Sequence, residues 1–102
     1  MFKVLVVDEE YNVEYVAGKL DKKAINILCE VAQKHKLRCL NFLSIEQNTY
    51  FSHTQQFSLE KEVAMLKEVE PELATDIDML TQALKIARAD DFSQLKVQLM
   101  QI

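Results

Sequence analysis

The chain has 102 residues, 49% of them hydrophobic and 27% charged, which is one domain's worth of sequence with enough apolar material for a real core. Twelve lysines and arginines stand against sixteen aspartates and glutamates, a net charge of −4 that repels a phosphate backbone and argues against nucleic-acid binding. A single glycine, Gly18, and a single proline, Pro71, exclude a Walker loop or a dinucleotide fingerprint, because a backbone that cradles phosphate needs several glycines.

Residues 2–7, Phe-Lys-Val-Leu-Val-Val, are a short valine-rich run that suits a strand buried on both faces. Asp8-Glu9-Glu10 ends it. Residues 11–16 alternate weakly, with Tyr11, Val13 and Tyr15 on one face, and read as a second strand or a connection. Gly18 reads as a turn. Asp21 is an N-cap for a helix over residues 22–35, in which Ala24, Ile25, Leu28, Val31, Ala32 and His35 fall at helical spacing. Lys34, His35 and Lys36 at its end suit the negative pole of the helix dipole.

Residues 37–45 are short and apolar and read as a strand or extended segment. Residues 46–56 are polar with Tyr50, Phe51 and His53 embedded, and read as a loop or hairpin. Ser58 is taken as the cap of the next helix, with Leu59, Val63, Leu66 and Val69 lining one face. Pro71 interrupts it, since proline lacks the donor a helix interior needs, and a new helix begins nearby. Thr75-Asp76-Ile77-Asp78 resembles a capping signal. The stripe that follows, Leu73, Ile77, Leu80, Leu84 and Ala87, widened by Met79, Ala83 and Ile86, is the strongest helical period in the chain. At the C-terminus Phe92, Leu95, Leu99 and Ile102 fit a helix, whereas Leu95, Val97 and Leu99 fit a strand. The strand is favoured because the N-terminal strand needs a partner. The expected fold is α+β, one globular domain with a small sheet of the N-terminal and C-terminal strands, with or without a middle one, packed with two or three amphipathic helices.

Two cysteines, Cys29 and Cys39, are too few for a secreted disulfide framework. No cleavable leader is read at the N-terminus and no apolar run approaches the roughly 20 residues that span a bilayer. The expectation is a cytoplasmic protein away from the membrane. Cys29, His35, Cys39 and His53 lack the close pairing of zinc ligands and read as core cysteines and surface histidines. Cys39, His53 and an acid could be written as a catalytic set, but nothing local supports one. No catalytic residue, metal ligand or cofactor is assigned.

Two features point to contacts. Aromatic side chains inside the polar loop, Tyr50 and Phe51 with His53, bury large areas at low entropic cost; the plainer reading is that Phe51 and Phe57 plug the core. Glu60, Glu62, Glu68, Glu70, Glu72, Asp76 and Asp78 face only Lys61 and Lys67, seven acids against two bases and a local charge of −5. The plainer reading is a solvated helix face; the sharper one is an acidic face that docks a basic partner.

Two resemblances bear on function. Lys3-Val4-Leu5-Val6-Val7-Asp8-Glu9-Glu10 resembles the opening of response-regulator receiver domains, where carboxylates at a strand end hold magnesium. The likeness stops there, since residues 37–57 contain no aspartate to accept a phosphoryl group. The order of a helix, Leu40-Asn41-Phe42-Leu43-Ser44, an aromatic loop, Phe57-Ser58 opening a helix, a leucine-rich helix and an end strand resembles small uncharacterised bacterial proteins, some grouped with toxin-immunity proteins. That resemblance implies no catalytic residues. The leading expectation is a non-enzymatic interaction module of immunity or inhibitor type. The alternative is a small ligand-binding domain or enzyme with a pocket near Asp8, Glu9, Tyr50 and His53. The leucine stripe could also join two copies in a homodimer.

Overall fold

Residues 2–43, 47–89 and 93–99 are described by the structure, a computed structural model. The α+β expectation holds: four antiparallel strands form one sheet in the order β2-β1-β4-β3, packed with three helices. Strand β1 (Phe2–Val7) is central, as its unbroken apolar run requires. It pairs antiparallel with β2 (Val13–Leu20) on one side and β4 (Gln94–Leu99) on the other, and β3 (Thr49–Phe51) pairs antiparallel with β4. The C-terminal strand therefore supplies the partner that β1 needs. Phe92 and Ile102, cited for a helix, lie outside the described residues.

Directly opposed residues of an antiparallel pair share a face. Phe2, Val4 and Val6 therefore share one with Leu95 and Val97, and with Phe51 on β3. All six are buried in a single cluster with side chains of α1 (Lys22–Lys34), α2 (His53–Val69) and α3 (Ala74–Arg88). Lys3, Leu5 and Val7 share the other face. The helices cover the first face; on the second, Leu5 and Val7 are buried as well, 3% and 0% exposed, so β1 is buried on both faces as its sequence suggests, and exposure there is confined to the flanking strands. The stripe Leu73, Ile77, Leu80, Leu84 and Ala87 is buried in this cluster, so the surface offered to a second copy is consumed within the monomer.

Several expectations are corrected. Gly18 is not a turn. It lies inside β2 opposite Val4, and a Cβ there would stand 3.0 Å from the Met79 Cγ of α3. Glycine lets helix and strand approach. Tyr11, Val13 and Tyr15 do not share a face. Two irregularities in the β1–β2 register leave Glu14 and Ala17 without a partner on β1, so Val13, Val16 and Lys19 fall opposite Val7, Leu5 and Lys3, while Tyr15 falls opposite Val6. Residues 37–43 are not a strand but a tight connection with a 3-10 turn at Leu40–Phe42; the end of the expected segment, 44–46, lies outside the described residues. Within 46–56 lie β3 and the start of α2. That helix is capped six residues before Ser58, by Ser52, whose Oγ accepts from the Gln55 amide while the Gln55 side chain accepts from the Ser52 amide. Val69 is exposed rather than part of the buried face. Pro71 opens a 3-10 turn, Pro71–Leu73, that runs into α3 without a side-chain cap, so Thr75-Asp76 lies inside the helix.

Asp21 caps α1 as expected, accepting from the Ala24 amide at 2.7 Å. The helix ends without glycine. Lys36 takes φ 54°, the Leu37 amide donates to the Ala32 carbonyl at 2.8 Å and the Lys36 amide to Gln33 at 3.4 Å, a Schellman arrangement with lysine at the left-handed position.

Candidate functional site

The aromatic loop does not form one surface. On β3 successive side chains point to opposite faces, so Phe51 enters the core and Tyr50 stands on the other face. Tyr50 meets Tyr11 from the β1–β2 turn edge to face, ring centroids 5.5 Å apart, and Lys96 Nζ lies 5.2 Å over its ring. His53, the first residue of α2, packs instead on Phe57, centroids 5.4 Å apart. Phe57 is 48% exposed rather than a core plug. The Arg88 guanidinium lies 4.3 Å over it and also pairs with Glu60.

The seven acids divide into four groups. Glu62 is buried, its two oxygens accepting from the backbone amides of Cys39 (3.1 Å) and Leu40 (3.0 Å), so it is a clamp inside the fold and not a contact for a partner. Glu60 is paired with Arg88, and Asp78 with Lys67 at 3.3 Å. Glu68 is exposed. Glu70, Glu72 and Asp76 gather at the joint between α2 and α3 and meet acids of α1 that the sequence treats separately. Glu70 is held above the usual carboxylate range by its hydrogen bond with Glu72, then by partial desolvation and the fields of Glu72 and Glu30, against the opposing pull of Lys34. Asp76 is raised by burial and by the charge of Asp21. Asp21, Glu72 and Asp76 line an open cleft of about 430 Å³ with Lys23, Ala24, Ile27 and Leu73. The local sequence count therefore overstates the acidic face of α2 and misses the contribution of Asp21 and Glu30. The cap position of Asp21 is the one sequence signal for this, since it fixes that carboxylate at the N-terminal end of α1.

The alternative pocket near Asp8, Glu9, Tyr50 and His53 is not assembled as a constellation. Asp8 accepts from the amides of Asn12 and Glu10, both at 2.9 Å, bonds that hold its carboxyl below the ordinary range and close the β1–β2 turn. The acidic strand end that resembles a magnesium site thus ties its own backbone, and β1 has antiparallel neighbours on both sides. Tyr50 and His53 serve different faces. The enclosed cavity in the core, about 10 Å³ and lined by Leu20, Phe51, Leu84 and other apolar side chains, has room for one water-sized sphere at most.

Both thiols are spent inside the fold. Cys29 Sγ donates to the Leu43 carbonyl at 3.5 Å and Cys39 Sγ to the Gln55 carbonyl at 3.4 Å. Burial, with the charge and hydrogen bond of Glu62, pushes the Cys39 thiol up to about 11, the opposite of an activated nucleophile. Among the described residues no three His, Cys, Asp or Glu side chains are grouped to hold a metal ion, and no helix is long and apolar enough to cross a membrane.

No family model matches the chain, and neither a curated protein nor a solved structure matches it.

Proposed function

We propose that the chain is a non-enzymatic protein-interaction module, of immunity or inhibitor type, whose acidic corner at the α1 N-terminus and the α2–α3 joint docks a basic partner. The observation that supports the reading is carboxylate crowding at a cleft. Glu70 and Asp76 are both raised, and their mutual environment holds more negative charge than Lys23 and Lys34 offset. An arginine or lysine entering the cleft would supply the missing counter-charge over an apolar floor of Ile27 and Leu73. Ionisation of Asp76 works against the folded state, since its carboxyl is raised above the unfolded value. That loss of stability accrues as pH climbs past the carboxylate range. Keeping such a group is explicable if a partner discharges it.

The test is capture from the host by the immobilised full chain, beside a Glu70→Gln/Glu72→Gln/Asp76→Asn variant. A basic protein is expected on the native chain, released by salt, absent from the variant, and inhibited in its own activity when the chain is added. Recovery of no basic partner, or equal recovery on the variant, would remove the reading. Because it removes crowded carboxylates, the variant is expected to melt no lower than the native chain at neutral pH, and a melting curve of each separates loss of capture from unfolding.

A further inference from the structure

The side of the sheet away from the helices carries a second surface of opposite character. By register, Val13, Val16 and Lys19 of β2 share this face with Lys3, Leu5 and Val7 of β1, then Gln94, Lys96 and Gln98 of β4, and Tyr50 of β3. Leu5 and Val7 at its centre are buried, but around them Val13 is 56% exposed, Val16 57% and Tyr50 39%, and Tyr11, which the turn swings against Tyr50, is 58% exposed. Tyr11 is held at φ 65°, a left-handed conformation costly for a bulky residue. No carboxylate occupies any of these strand positions, and among the described residues Lys3, Lys19 and Lys96 have no acidic partner.

We propose that this sheet face is a docking surface for an acidic polypeptide segment that also carries apolar side chains. Charge selects that occupant. A band of exposed valine and tyrosine with three lysines that no described acid neutralises is complementary to alternating glutamate or aspartate and aliphatic residues. A second copy laid face to face would set lysine against lysine. A single-stranded nucleic acid needs free ring faces for stacking, whereas Lys96 already lies over the Tyr50 ring and Tyr11 is packed against it. The acidic corner of the proposed function is a different part of the molecule, so the two surfaces stand or fall separately.

The experiment is selection of a phage-displayed random-peptide library on the full chain, followed by anisotropy of the selected peptides as free synthetic probes. Enriched peptides are expected to be acidic and aliphatic. Their affinity is expected to fall about tenfold or more in Val16→Glu and in Lys96→Glu, and to weaken with salt. It should persist in the Glu70→Gln/Glu72→Gln/Asp76→Asn variant. Lys96→Gln, which is milder, should give a smaller loss, and unfolding curves of all variants verify that the fold is intact. Absence of enrichment overturns the proposal, as does a basic consensus or binding that ignores Val16→Glu. So would a native dimer that Val16→Glu dissolves, or an oligodeoxythymidylate that competes for the face.

Discussion

Glu62→Ala should be among the most damaging substitutions of a charged residue in this protein. Glu62 sits on α2, 9% exposed, and its carboxylate receives two backbone amides at the entrance to the Leu40–Phe42 turn, at 3.1 and 3.0 Å. The turn has no side-chain cap of its own from Cys39, so these donors depend on a residue more than twenty positions away. A hydrogen bond to a charged group contributes about 1.5–3 kcal/mol, and losing both leaves two donors short of a partner. Water entering the space left by the side chain recovers part of that, so the expected loss is about 3 kcal/mol, a large share of the ~5–15 kcal/mol that holds a domain of this size together. Urea unfolding followed by circular dichroism measures it directly, and the melting temperature should drop by more than about 10 °C. Glu62→Gln keeps the shape but can accept through only one atom and should lose roughly half as much. Hydrogen exchange adds a local readout, since the amides of Cys39 and Leu40 should lose protection first. Glu60→Ala, which breaks only the surface pair with Arg88, is the control and should cost under about 1 kcal/mol. A Glu62→Ala protein as stable as that control would refute the clamp.

Other perturbations test other parts of the account. The Cys39 thiol is raised from 9.0 to about 11, so the native state holds its proton more tightly than the unfolded chain does; the resulting stabilisation is whole below pH 9 and is lost as pH rises from there to about 11. Cys39→Ala should flatten that part of the stability–pH curve relative to the native chain, and identical slopes would argue against a buried thiol. Lys36→Gly should stabilise by up to about 1 kcal/mol, because glycine takes the φ of 54° without the Cβ penalty, and a neutral result would place the Schellman end elsewhere. Gly18→Val should cost about 1–3 kcal/mol by driving a branched side chain into Met79, with part of the loss restored by adding Met79→Ala; independence of the two substitutions in a double-mutant cycle would contradict the contact.

Where the fold was legible, a single period ran undisturbed. The stripe from Ile77 to Ala87 reads as a helix and is one, with Leu73 in the 3-10 turn that leads into it, and the apolar run at Phe2–Val7 reads as a strand buried on both faces and is one. The misreadings occur where a long-range partner overrides the local pattern. The segment after α1 has strand-like composition, but Glu62 reaches across to satisfy the Cys39 and Leu40 amides and so stabilises a turn there instead of a ladder. In β2 the alternation is broken by Glu14 and Ala17, which turns a period of two into Val13, Val16 and Lys19 at spacings of three. Gly18 reads as punctuation because its reason, the Met79 side chain, lies 61 positions further along the chain.

The proposed interaction surfaces were legible as chemistry but not as places. A count along residues 60–78 finds the surplus of acid, yet it cannot know that Glu62 turns inward, that Arg88 and Lys67 return to Glu60 and Asp78, or that Asp21 and Glu30 join what is left. The complementary surface was harder still, since its lysines, Lys3, Lys19 and Lys96, are spread over the length of the chain and come onto one face only through strand pairing. A net charge of −4 therefore describes the molecule poorly. Its acids crowd at the joint of the helices and outnumber the nearby Lys23 and Lys34, while Lys3, Lys19 and Lys96, without an acidic partner among the described residues, lie on the far side of the sheet. Crowding of the acids costs stability, as the raised Glu70 and Asp76 show, and it is this cost that the proposed basic partner would offset.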